Sequence, residues 1–146
     1  MNFVTFERNL KGFIDNLDKL VLDSAMELKD SIADLNVKQL EEGKRVDGGN
    51  IIPEYQSEAY AKAKKSIGAK PPLYTPDLKL TGAYHSGIYA FRGSGFIGTW
   101  STDEKVDKLN AKYPKHLGLT VDSIEVMKPD VLDKLLIKGK NELSRS

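Results

Sequence analysis

The first forty residues alternate apolar and polar positions on a helical beat. Phe6, Leu10, Phe13, Leu17, Leu20 or Val21, Leu28, Ile32 and Leu35 recur at steps of three and four, apart from a break near Ser24. Glu7, Arg8, Lys11, Asp15, Asp18, Lys19, Glu27, Lys29 and Asp30 fall between them. That spacing gathers the apolar side chains on one face and predicts a long amphipathic helix over about residues 3–42, stopped by Gly43. Such a stripe either faces its own core or exceeds what a small domain can cover, in which case part of it packs on another subunit. Both readings stand at this level.

The pattern then loosens. Gly43, Asp47-Gly48-Gly49-Asn50 and Pro53 mark turns, and Ser57 is placed to cap a short helix through Lys65. Gly68, Pro71-Pro72, Pro76 and Gly82 keep the following chain extended. Residues of about 43–82 are therefore expected to form an irregular, proline-stiffened arm, functional or ordered by a partner. Ile88-Tyr89-Ala90-Phe91 and Phe96-Ile97-Gly98-Thr99-Trp100 are β-prone runs joined by Gly93-Ser94-Gly95, a hairpin signature over about 86–101. Helices are expected over about 103–143. One runs from Asp103 to Tyr113; the other is capped by Thr120, carries Pro129 at a first helical position or a kink, and has its apolar stripe at Val131, Leu132, Leu135 and Leu136. The sum is a single α+β domain over 1–146: long N-terminal helix, extended arm, small antiparallel hairpin, C-terminal helices.

Gly93 to Gly98 also spells G-x-G-x-x-G, the dinucleotide-cradling string. That chemistry needs a helix to begin among the glycines and an acidic residue about 20 positions on to hold a ribose. Here a second strand follows instead and no such acid is present, so the glycines are assigned to the turn of the hairpin.

Composition narrows the chemistry. Lysine and arginine number 22 against 21 aspartates and glutamates, so no global field draws nucleic acid or an anionic membrane. With no cysteine, thiolate metal sites, disulfides and cysteine nucleophiles are excluded. The N-terminus lacks a basic start followed by an apolar block, so no signal peptide is expected. His85 and His116 have no ligand partner at metal-binding spacing, and neighbouring Ser86 points away from His85 in any regular element. Both histidines are expected to be structural or interfacial. Asp47, Asn50 and Glu54 miss the spacing of a calcium loop, and Glu41-Glu42 or Asp15 and Asp18 are most simply a solvated helix face. Neither an enzyme nor a cofactor is expected. Lys62, Lys64, Lys65 and Lys70, with Tyr55, Tyr60 and Tyr74 nearby, form the candidate DNA-facing patch.

Three stretches, "QLEEGKRVDGGNIIPEYQ" (39–56), "PDLKLTGAYHSGIYA" (76–90) and "HLGLTVDSIEVMKPDVLDKLL" (116–136), resemble in their order the tail-completion, tail-terminator or neck proteins that join head to tail in tailed bacteriophages. The resemblance covers most of the chain. It implies a structural virion protein, made in the host bacterial cytoplasm and forming a homo-oligomeric ring around the DNA channel. Adjacent portal, neck or tail proteins would be its partners, with non-specific contact to DNA and none to a membrane. Carried onto this sequence, Thr81-Gly82 would be the corner where the arm enters the sheet, with Tyr84 and Ile88 facing the core. A ring needs one patch to meet a different patch on the neighbour. Phe6, Leu10, Phe13 and Leu17 are expected on one side of that contact, and Tyr89, Phe91, Phe96 and Trp100 on the other. The competing reading is a nucleic-acid-binding module built on the lysine–tyrosine arm, or a minor tail or morphogenesis protein.

Overall fold

The computed structural model describes residues 2–145. Among them the chain forms seven helices and one two-stranded antiparallel sheet, a mixed α+β architecture.

The expected long helix is three: α1 (Phe3–Asp15), α2 (Leu17–Met26) and α3 (Lys29–Glu41). The breaks fall at Asn16 and Leu28 rather than at Ser24. Asn16 donates its side-chain amide to the Gly12 carbonyl (2.9 Å), and its backbone leaves the helical region at φ −103°, ψ 9°. A short amide side chain that competes for a backbone carbonyl is what makes asparagine poor in a helix interior. At Leu28 the N–H reaches back only to the Ala25 carbonyl (2.9 Å), tightening the final turn of α2. Ser24, where the periodicity falters, lies buried within α2 and donates to the Leu20 carbonyl at 2.7 Å. A polar side chain satisfied inside its own helix dilutes the apolar pattern without ending the helix.

These joints let α1 and α2 lie against α7 (Val121–Leu143) while α3 packs on the sheet. Phe13 of α1 meets Gly139 of α7 so closely that a Cβ there would stand 3.2 Å from the ring. Glu27, just past α2, pairs with Lys138 at 2.8 Å and Lys134 at 3.7 Å. At the other end of α7, the Thr120 hydroxyl caps the helix by accepting from the Ser123 N–H (3.1 Å), and the Thr120 N–H donates to the Gln39 side chain of α3 (2.9 Å). Pro129 sits inside α7 rather than at its first position, because the Thr120 cap starts the helix earlier.

The hairpin pairs β1 (Ile88–Arg92) with β2 (Ile97–Ser101), Ile88 opposite Ser101 and Arg92 opposite Ile97. A one-turn helix, α5 (Ala83–Ser86), leads into it. Gly82 before that turn takes φ 87°, a left-handed value that disfavours a side chain, and the Thr81 hydroxyl accepts from the Ala83 N–H at 3.3 Å. The next helix, α6 (Val106–Lys112), starts after Asp103.

The arm folds back on its own body. Its short helix α4 (Glu58–Ser66) is capped by Ser57, whose hydroxyl accepts from the Tyr60 N–H at 3.2 Å. Pro71, Thr75, Pro76 and Asp77 are buried. They return to the end of α3, where Gly43 (φ 69°) admits them: a Cβ on Gly43 would lie 2.7 Å from the Thr75 methyl. The core gathers Leu40, Ile51, Tyr84, Ile88, Val106 and Tyr113, with Trp100 packed on its edge. Leu40 and Ile51 are wholly enclosed, each worth about 1.5–3 kcal/mol of burial.

Candidate functional site

The groups that looked most like chemistry in the sequence are satisfied by structure. His116, fully buried, donates from Nδ1 to the Tyr113 carbonyl (2.6 Å). A carbonyl only accepts, so Nε2 is the bare nitrogen, and it receives the Tyr84 hydroxyl. Burial holds the His116 imidazole below its ordinary pKa and pushes the Tyr84 hydroxyl up. Asn36 of α3 locks the same segment: its amide donates to the His116 carbonyl (3.1 Å), and its carbonyl accepts from the Gly118 N–H (2.9 Å) and the Thr99 hydroxyl (2.5 Å). This network ties β2, α3 and the 113–118 turn together.

His85 donates from Nε2 to the Asp77 carbonyl (2.7 Å), which leaves Nδ1 buried without a partner. Burial lowers its pKa, against the opposing pull of that hydrogen bond and the Asp77 and Glu41 charges. Ser86 turns away and donates to the Ala83 carbonyl (3.1 Å), so serine and histidine make no nucleophile–base pair. Among the described residues, no group of three or more histidines, aspartates or glutamates is placed to hold a metal ion.

Two of the three G-x-G-x-x-G glycines, Gly93 and Gly98, are covered by aromatic rings, and Gly95 takes the positive φ of the turn. A Cβ on Gly93 would lie 2.2 Å from the Phe96 ring, and one on Gly98 would lie 2.7 Å from the Phe91 ring. The Phe91 and Phe96 rings themselves meet edge to face, centroids 6.0 Å apart. The glycines make room for this aromatic clasp and leave no cradle for a phosphate.

The expected lysine patch does not assemble as a DNA-facing set. Lys64 is buried. Its ammonium lies 2.8 Å from the Asp77 carboxylate, both side chains only 7 % exposed, and also donates to the Lys79 carbonyl. Lys62 pairs with Glu58 (2.8 Å), Lys70 lies 3.6 Å from Glu41, and Lys65 donates to the Ala69 and Lys70 carbonyls.

Of the expected interface residues, Phe6, Leu10 and Leu17 are exposed, as are Tyr89 and Phe96. Phe13 is taken up against α7. Phe91 is half-buried between its aromatic neighbours, and Trp100 is packed on the core. The last three are therefore spent largely on the chain's own packing. The exposed stripe continues instead through Ile14 and Val21, and α7 adds a second apolar face at Leu132, Leu136 and Ile137.

One concave surface escaped the sequence reading. Between the arm and α6 lies a groove of about 650 Å³, floored by Tyr55, Tyr60, Leu80, Leu109 and Tyr113. Tyr55 and Tyr60 meet edge to face, centroids 4.9 Å apart, and burial raises the Tyr55 pKa. Lys105, Lys108 and Lys112 form one lip, with Glu54 on the lining opposite. None of these three lysines has an ion-pair partner among the described residues; Lys112 lies over the Tyr113 ring at 5.3 Å. Their spacing along α6 was the available signal, since steps of three and four put them on one side. It went unread because the tyrosines opposite come from an arm about fifty residues earlier.

No protein-family model, curated protein or solved structure matches the chain. No helix among the described residues is long and apolar enough to cross a membrane.

Proposed function

We propose that this chain is a structural subunit that assembles with copies of itself into a ring, and that the ring lies in the neck or tail of a tailed bacteriophage, joining head to tail around the DNA channel. The observation that carries the assembly is surface. The chain exposes 9156 Å² at a mass of 16.2 kDa, whereas a compact monomer of that mass exposes about 7,400 Å². The excess, about 1,700 Å², is comparable to two faces of about 800 Å² each, the share a ring subunit gives to two neighbours. Much of it is apolar: Phe3 is 78 % exposed, Ile14 59 % and Leu136 61 %. The phage assignment is supported by the resemblance of the stretches 39–56, 76–90 and 116–136.

The nucleic-acid alternative loses one of its four lysines with the burial of Lys64. Peptide mass spectrometry of purified virions, joined to electron microscopy of the neck, tests the reading. The chain should be present at a fixed ratio to the portal and form closed rings. Its absence from particles ends the virion assignment, and its presence there as isolated copies ends the ring.

A further inference from the structure

We infer that the groove between the arm and α6 receives the exposed α1–α2 stripe of a second copy of this chain, and that this is the repeating contact of the assembly. The inference rests on the ring reading and names the two surfaces that make it.

The stripe is Leu10 and Ile14 on α1 and Leu17 and Val21 on α2, each pair four residues apart and all exposed. Carboxylates border it. Glu7 lies three residues before Leu10 on α1, and Asp18 lies three before Val21 on α2; Lys11, three before Ile14, adds one cation to the same border. Neither carboxylate makes an ion pair among the described residues. The groove offers the complement. Its floor is aromatic and aliphatic, its volume of about 650 Å³ admits several aliphatic side chains, and Lys105, Lys108 and Lys112 stand unpaired along its lip. A strip bordered by two carboxylates and Lys11 thus meets a trough lined by three ammonium groups and Glu54, so opposite net charges face each other.

A subunit cannot fill its own groove. The stripe belongs to helices that lean on the C-terminal half of α7, where Phe13 meets Gly139 and Glu27 meets Lys138. The groove adjoins the arm where Lys79 reaches Glu41, at the far end of α3. That helix of 13 residues is about 20 Å long at 1.5 Å per residue. Different patches at opposite ends give a head-to-tail contact, the kind that generates rings.

The chain contains no cysteine, so single cysteines report contacts directly. The full-length Asp18→Cys and Lys108→Cys chains, mixed under mild oxidation, should form the mixed disulfide at least about tenfold faster than either forms with a Ser94→Cys chain labelled at the hairpin tip. In light scattering, Ile14→Asp should weaken association about tenfold or more, and Asp18→Lys should weaken it and be rescued by Lys108→Glu in the mixed sample. Ile14 is 59 % exposed, so its replacement leaves the fold intact, and the disulfide arm does not depend on it. Three results overturn the inference while leaving a ring standing: assembly untouched by Ile14→Asp, self-linking of Asp18→Cys in place of the mixed pair, or equal linking at Ser94. Binding of a labelled oligothymidylate that is lost in Tyr60→Ala would reassign the groove to nucleic acid and overturn it as well. A chain that is solitary in solution and in particles removes the ring and the inference together.

Discussion

At the scale of single residues, the side chains that looked reactive are doing the work of packing. Lys64 illustrates it: a lysine drawn from a solvated-looking run becomes half of a buried ion pair with Asp77. Removing one partner strands the other charge, a loss of about 3–5 kcal/mol, whereas exposed ion pairs are worth about 0–1 kcal/mol. Lys64→Ala should therefore lower unfolding free energy in urea by several times the effect of Lys62→Ala; equal effects would contradict the burial. The double change Lys64→Met with Asp77→Leu should recover most of the loss. The histidines give a pH signature. Burial depresses both His85 and His116 below 6.5, so the unfolded chain takes up protons first as the pH falls. This contribution is then complete above about 6.5 and is lost on acidification through and below that value. A carboxylate acts lower: half-buried Asp23, held down to about 2 by hydrogen bonds from Lys19 and Arg92, loses its contribution only as the pH falls from about 4 toward about 2. Thermal melts between about pH 7 and pH 5 should show a slope that flattens when both histidines become glutamine. An unchanged slope would place the titrating groups elsewhere.

Elements are set by local chemistry and then bent to the needs of packing. The Ser57 and Thr120 caps were legible because a hydroxyl that satisfies an orphan N–H is a local matter. The joints at Asn16 and Leu28 were not, because neither carries a glycine or proline and the periodic spacing runs across them. Pro129 in the interior of α7 is the converse case: a breaker that does not break. Its ring denies the Glu125 carbonyl a helical partner, a local cost of up to about 3 kcal/mol, offset by packing on both sides. Since Pro129 is exposed, Pro129→Ala should stabilise the chain by about 1–3 kcal/mol. Denaturant unfolding checks this, and a loss of stability would mean that the Pro129 ring contributes to the packing of α7.

For the whole molecule, surface area is the informative quantity. A chain that exposes 9156 Å² cannot be as compact as an ordinary monomer of its length, whose radius of gyration is about 15 Å. Small-angle scattering of the dilute, unassembled chain should give a clearly larger radius; a value at the compact limit would show that α1 and α2 fold closer to the core. Because the proposed contact pairs carboxylates with lysines around an apolar centre, added salt should weaken assembly only modestly and slow its formation more. Complete dissolution of the assembly by moderate salt would mean that charge, not apolar burial, holds the copies together.

The amino-acid sequence by itself determined the α+β class, the hairpin and its turn, the helix caps and the rejection of the glycine string as a nucleotide site. Each of these follows from side chains acting on neighbours a few residues away. Tertiary structure alone decided where the three pieces of the first helix pack, the inward turn of Lys64 and the groove. Those depend on residues far apart in the chain: Asp77 carried under α4, Tyr55 and Tyr60 brought across from α6, and α7 offering α1 and α2 a surface to fold against. Periodicity reports which side of a helix is apolar. What covers that side is settled only when the rest of the chain, or another copy, arrives.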